Sequence, residues 1–248
     1  MILIKSSDEI DKMKKSGELL AACHRELRKV IRPDITTIEI NDFAEKFIIE
    51  NGGYPAQKGY KGYKHATCTS VNDEICHSVP SKRKLNNGDI ITVDIVVNIN
   101  GWLADSAWSY AVGSITEEAK KLLEVTEKSL YIGIDKAIIG NRIGDISNAI
   151  QTYAESKGYS VVREYLGHGI GKNMHETPEV PHFGRAGRGM RIEAGMVFTI
   201  EPMINIGGYA LDIDLDGWTS RTRDKSLSAQ YEHTIAITKD GPVILTKQ

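Results

Sequence analysis

A chain of 248 residues with a formal net charge of −2 has no bulk electrostatic reason to bind nucleic acid or a membrane surface. Its length would hold two small domains or one large one, but no Pro/Ser-rich linker, low-complexity run or block of like charge divides it, so one domain over residues 1–248 is expected. The opening Met-Ile-Leu-Ile-Lys lacks the apolar core of a signal peptide, no run approaches a membrane span, and Cys23, Cys68 and Cys76 have no metal-finger spacing, which together read as a cytoplasmic protein with reduced thiols.

In chain order, Ser6 with Glu9 has capping-box spacing, and Ile10, Met13, Leu20 and Leu27 follow at helical intervals up to Pro33. Thr36 with Glu39 repeats that signal for a second helix, which stops at Gly52-Gly53. The segment Ile90 to Ile99 is rich in β-branched residues, Asn100-Gly101 is a two-residue hairpin turn, and the return strand runs from Trp102 to Val112. Thr116 opens a third helical segment through Leu122, Leu123, Leu130 and Ile138, and a fourth runs from about Asp145 to Gly158. Arg185, Arg188 and Arg191 read as a solvated, glycine-loosened loop. Later strands are expected at Met196 to Ile206, Tyr209 to Asp214, Gln230 to Thr238 and Val243 to Thr246, the last two joined by the turn Lys239-Asp240-Gly241-Pro242. Helices bracketing mainly antiparallel strands predict an α+β fold with a curved sheet covered by helices.

Five residues stand out as ligands for a pair of metal ions: Asp94, Asp105, His168, Glu201 and Glu232. A charged side chain inside an apolar strand must find a partner, and several converging on cations would satisfy one another. Placing Asn100-Gly101 in the turn sets Asp105 opposite Val96, so Asp94 and Asp105 share a face and become diagonal neighbours roughly 7–8 Å apart at the backbone. A bulge would break that parity. Glu201 ends the apolar run Phe198-Thr-Ile-Glu-Pro202, and Glu232 stands just before Thr234-Ile-Ala-Ile237. His168 lies in Gly167-His-Gly-Ile-Gly171, where glycine permits close backbone approach, while His175 and His77 fall in nearby segments. One nitrogen among many oxygens, with no thiolate, suits Mn, Fe, Co or Zn. Two such ions at one site make hydrolysis the expected reaction class.

These segments resemble the bacterial type I methionine aminopeptidases, which share the pita-bread fold. The motifs are Ser70-Val-Asn-Asp-Glu-Ile-Cys-His77, Gly88-Asp-Ile with Asp94, Gly101 with Asp105, Gly167-His-Gly-Ile-Gly171, Thr199-Ile-Glu-Pro-Met203 and Ser228-Ala-Gln-Tyr-Glu-His-Thr234, all in order over essentially the whole chain. The resemblance implies that Asp94 binds one metal bidentately, that Asp105 and Glu232 bridge, and that His168 and Glu201 complete the other site. Glu201 would double as base for the attacking water, His175 would hydrogen-bond the scissile carbonyl, and His77 would steer the leaving amine. It also implies a methionine pocket of Tyr60, Tyr63, Cys68, His77, Met174 and Trp218, with His175 touching substrate. Met174 stands where relatives often have an aromatic residue or leucine, and Gln57 replaces a cysteine of some members.

The implied substrates are nascent polypeptide N-termini with a small second residue, and the implied cofactors are two divalent metal ions plus a monovalent cation near Asn72 and Ser228. No cysteine-rich extension precedes the catalytic region, so a zinc-finger ribosome tether is not expected and any ribosome contact is transient. The 31 positions from Glu201 to Glu232 leave no room for the type II helical insertion. A monomer acting in the cytoplasm is expected. Two alternatives share the fold: an Xaa-Pro-type aminopeptidase, and a metal-free binding protein.

Overall fold

The computed structural model describes residues 3–248. Both capping boxes form: Ser6 with Glu9 starts α1 (Ser7–Val30), and Thr36 with Glu39 starts α2 (Thr37–Glu50). In each, the side-chain oxygen of the cap takes an otherwise unpaired N–H and the glutamate reaches back to the cap N–H. Thr116 caps α3 (Glu117–Lys136), and α4 spans Ile143–Ser156. The third helix stops short of Ile138, which lies outside it and is 42% exposed. Asn141 Nδ2 donates to the Lys136 carbonyl at 3.0 Å, and Ile192 O accepts from Gly140 N, so the chain turns into a loop before another helical turn can form.

The hairpin takes the expected register. Ile90–Ile99 pairs with Trp102–Ala111 without a slip, with Ile99 opposite Trp102, Val96 opposite Asp105 and Asp94 opposite Ala107. Asn100 and Gly101 both have positive φ, 53° and 85°, as the tight turn requires. On its other edge Ile90–Ile99 pairs with the short strands Tyr54–Pro55 and Cys68–Val71, and Cys68 sits opposite Asp94. A second, five-stranded ladder runs in spatial order Gly241–Ile244, His233–Thr238, Val197–Ile200, Gly167–Gly169, Glu176–Val180. Two three-stranded ladders complete the curved surface, and among the described residues every strand pair is antiparallel.

The long strands expected at Met196–Ile206 and Gln230–Thr238 are each broken. Val197–Ile200 belongs to the five-stranded ladder while Met203–Asn205 pairs with Ser228–Gln230 and Ser160–Val161 in another. His233–Thr238 and Ser228–Gln230 part in the same way, so Glu201-Pro202 and Tyr231-Glu232 lie side by side where both chains change sheets. Proline has no N–H for a ladder, which makes position 202 a natural place for the change. Released from regular pairing, the two glutamates point at a common space. The expected strand at Tyr209–Asp214 shrinks to Leu211–Ile213.

The hairpin is sewn to this crossing. Glu232 N donates to Ala107 O at 2.8 Å, Ser106 Oγ donates to Glu232 O at 2.8 Å, and Thr234 Oγ1 both accepts from Asp105 N and donates to Asp105 O. Helix α1 backs the hairpin with buried Met13, Leu20, Cys23 and Leu27, and Ser16 Oγ bonds both Trp102 O and Ile99 N beside the turn. Its Gly17 lies so close to the turn after the C-terminal strand that a Cβ would fall 2.1 Å from Leu245 O. Gly17→Ala should therefore cost about 1–3 kcal/mol through a forced backbone shift, a fall in Tm of roughly 2–12 °C for a chain of this size. A thermal melt followed by circular dichroism would read it, and an unchanged Tm would mean that the Leu245 segment yields freely.

Candidate metal centre and substrate pocket

One cavity of about 220 Å³ is lined by every residue expected to do chemistry: Asp94, Asp105, His168, Glu201 and Glu232, with His77, His175, Tyr60, Tyr63, Cys68, Met174 and Trp218. Ligand atoms of Asp105, His168 and Glu232 all lie within 4.8 Å of one another. His168 Nε2 stands 3.6 Å from Asp105 Oδ2 and 3.7 Å from Glu201 Oε1. Asp94 lies outside that tightest triad and reaches the cavity from the neighbouring strand position, on the Asp105 face of the hairpin.

This donor set fits divalent cations. The His168 Nδ1–H donates to Gly169 O at 3.0 Å, which turns the Nε2 lone pair toward two carboxylates. Their separation is too long for a good hydrogen bond. It is close to the roughly 3–3.5 Å between two donors that each bind one ion at about 2.0–2.2 Å. Asp105 Oδ1 and Glu232 Oε1 are buried with no hydrogen-bond partner. Buried carboxylate oxygens left so are costly unless a cation takes them up.

The electrostatics agree. Burial and the neighbouring Asp105 and Glu201 carboxylates push Asp94 well above the ordinary carboxylate range, and burial with Asp105, Glu201 and Asp94 does the same to Glu232. Burial raises Glu201 to about 7, against the pull of His168 and the Thr199 hydroxyl. Burial would lower His168, but the carboxylates of Asp105 and Glu201 outweigh it and lift the ring to about 9. Without a cation the cluster thus holds protons that a cation would displace.

Around this centre the site divides by chemistry. The rings of His168 and His175 stand 4.3 Å apart, and Tyr60 Oη hydrogen-bonds His175 Nδ1 at 2.8 Å at the exposed rim. Burial and the adjacent His168 lower His175 to about 4, so its ring is neutral at ordinary pH. His77 is packed edge-on to Tyr165 at 5.0 Å and has φ 58°, an unusual backbone for a non-glycine residue that is held by its surroundings. Tyr63 packs edge-on to Trp218 at 4.9 Å, and with Cys68 and Met174 they form an apolar wall. Burial pushes the Cys68 thiol well up, so it is not poised as a thiolate.

Several supporting groups escape a sequence reading. Thr199 Oγ1 donates to Glu201 Oε1 at 2.8 Å and accepts from His168 N at 2.9 Å, linking two donors through one hydroxyl. Thr199 is two positions before Glu201, so strand periodicity is the signal that could have found it. The fully buried His182 accepts from Glu201 N at 3.0 Å, and nothing in its Pro181-His-Phe183 context announces that. Tyr165 and Leu166, just before the Gly-His-Gly segment, also line the cavity. Asn72 and Ser228, named for a monovalent cation, are joined by a hydrogen bond from Ser228 N to Asn72 O of 2.9 Å, and Ser228 Oγ is buried without a partner.

Comparison with known proteins agrees with this reading. Residues 11–239 match the model of Metallopeptidase family M24. "Methionine aminopeptidase" of Clostridium perfringens is 48% identical over 246 residues, covering 99% of each chain, and "Methionine aminopeptidase 1" of Bacillus subtilis is 48% identical over 247 residues, covering 100% of each. The crystal structure of methionine aminopeptidase from Rickettsia prowazekii superposes with a TM-score of 0.98 at 44% identity, over 99% of this chain and 100% of that one. The chain belongs to metallopeptidase family M24 and, within it, to the methionine aminopeptidases, so the α+β pita-bread fold and a divalent-metal cofactor follow.

Proposed function

We propose that this protein removes the N-terminal methionine from nascent polypeptides whose second residue is small, using two divalent ions drawn from Mn, Fe, Co or Zn. The observation that carries the reading is the convergence of Asp105, His168 and Glu232 ligand atoms within 4.8 Å, in a cavity that also holds Glu201 and an aromatic, thioether-lined slot. Asp94, Asp105 and Glu232 would hold one ion, and His168, Glu201 and the two shared carboxylates the other. Bound there, divalent ions supply Lewis-acid polarisation of the scissile carbonyl and a water that ionises near neutral pH.

The chain's own residues do the rest. The Glu201 carboxylate, oriented by Thr199, takes a proton from the attacking water and passes it to the departing amine. With the Tyr60 hydroxyl donating to Nδ1, neutral His175 keeps its proton on Nε2 and offers it to the carbonyl oxygen as negative charge develops. His77, on the wall of the same cavity, would steer the leaving amine. Tyr60, Tyr63, Cys68, Met174 and Trp218 receive the unbranched, polarisable methionine side chain. A monovalent cation near Asn72 would give buried Ser228 Oγ a partner.

Ligands drawn from positions 94 to 232 support a single catalytic domain, acting as a monomer. It acts in the cytosol, where the free thiols of Cys23, Cys68 and Cys76 would stay reduced, on chains that it meets by transient contact at the ribosome.

The test is to strip the metal and follow Met-Ala-Ser by mass spectrometry while adding back Mn, Co, Fe or Zn in turn. Methionine should be released only with metal, and Met-Lys peptides should be cut far more slowly. Release from Ala-Pro in preference to Met-Ala would establish proline-directed chemistry instead, and no release with any ion would overturn the enzyme reading.

A further inference from the structure

Gln57 lies just before the turn that carries Tyr60, lines the same cavity and is 8% exposed. Its Nε2 donates to Asp94 Oδ1 at 3.2 Å and stands 3.6 Å from Cys68 Sγ. Its Oε1 is buried and has no hydrogen-bond partner. That combination is uneven. A buried glutamine retained for packing tends to pair its carbonyl with a backbone N–H, because an unpaired buried acceptor is costly. Here the carbonyl is left over and the N–H group is spent on a carboxylate. With Asp94 ionised, as a bound cation would make it, turning the amide over would aim its oxygen at a carboxylate that has no proton to donate.

Asp94 itself depends on that bond. It sits opposite Cys68 and Ala107 in the sheet, two residues that offer its carboxylate no side-chain nitrogen. Thr199 steadies Glu201 and the Gly169 carbonyl steadies His168, whereas the hydrogen bond that holds Asp94 comes from Gln57. A carboxylate has about four lone-pair positions. One taken by Gln57 fixes the rotation of the group and leaves the rest for a cation.

We propose that Gln57 is a positioning residue for Asp94: its carboxamide locks the carboxylate in the rotation that receives a divalent ion, and so sets how tightly that ion is held. This rests on the reading of Asp94 as a cation ligand. Groups that orient metal ligands in this way typically change affinity by about 10–100-fold when removed. The residue sits at the pocket wall as well, so its effect on the ion must be separated from any effect on the methionine slot.

The experiment titrates metal-free protein with Mn(II) by calorimetry and records the visible spectrum with Co(II). Wild type is compared with Gln57→Met, which keeps the volume but has no donor, and Gln57→Asn, which keeps the amide but shortens its reach. Both variants should bind one ion, the one Asp94 receives, about 10–100-fold less tightly and show an altered Co(II) spectrum. In an Asp94→Asn background, Gln57→Met should cause no further loss of affinity. Should Gln57→Met fold poorly in a thermal melt, Gln57→Asn carries the comparison. Unchanged affinity and spectrum, with only Tm or KM moved, would overturn the assignment and leave Gln57 as pocket wall. Wild-type protein that binds neither ion would overturn the cation reading itself, and this one with it.

Discussion

Glu201→Gln should lower kcat on Met-Ala-Ser by roughly 10²–10⁴-fold, the range for loss of a positioned acid–base group. Glutamine has nearly the same shape, and its carbonyl oxygen can still accept the Thr199 hydroxyl that now bonds Glu201 Oε1. The backbone bond from Glu201 N to His182 does not depend on the side chain. Packing at this 8%-exposed position is therefore kept, while the negative charge and the proton acceptor are lost. Steady-state kinetics with saturating metal, beside a melt showing an intact fold, would measure it. Metal affinity should fall as well, because Glu201 stands among the donors near His168. Single-turnover assays at saturating metal separate the two effects. A kcat within tenfold of wild type under those conditions would remove Glu201 from the proton-transfer role.

The hairpin was the most legible part of the molecule, because its geometry follows from two residues in the turn and an alternation of two. Asp94 and Asp105 share a face through an unbroken ladder, as the Asn100-Gly101 turn predicts. Helix starts were legible for a similar reason: capping is local, and the Ser6, Thr36 and Thr116 oxygens all take the N–H three residues on. What the sequence hid was long-range. An apolar run shows that a strand can form but not which strand it will pair with, so the breaks at Glu201-Pro202 and Tyr231-Glu232 read as continuous strands. Yet those breaks are what aim both glutamates inward.

The short strand Gly167–Gly169 was equally hidden. It has no apolar pattern, and its glycines answer to tertiary contacts: a Cβ would lie 2.5 Å from Thr199 O at Gly167 and 2.4 Å from Thr177 O at Gly169. Such close approach to neighbouring strands is the reason glycine brackets His168. His182 and Thr199 belong to the same category, since their partners are set by the assembled sheet. The family resemblance supplied what local chemistry could not, namely the slot for a methionine side chain.

Saturating Mn(II) should raise the Tm of the wild-type protein by about 5–10 °C, and Glu232→Gln should lose most of that rise. An ion present at 100 times its Kd stabilises the native state by about 2.7 kcal/mol, and each kcal/mol is worth roughly 2–4 °C in a chain of this length. The metal-free baseline should move the other way. Glu232 is 2% exposed, its Oε1 has no partner, and it faces the carboxylates of Asp105, Glu201 and Asp94. Without a cation, Glu232 stays buried among these groups only by taking up a proton at neutral pH, a cost that a neutral amide avoids. Metal-free Glu232→Gln should therefore melt no lower than metal-free wild type, while the wild type gains on Mn(II) and the variant does not. Differential scanning calorimetry with chelator and then with Mn(II) measures both terms on one sample. A wild-type Tm indifferent to the ion would mean that the cluster does not bind it. A variant less stable without metal would mean that Glu232 is held in the fold by bonds of its own rather than by the cation it awaits. Keeping these carboxyl groups buried and protonated at neutral pH is a stability cost that a cation removes, so activity and stability should rise together as the site fills.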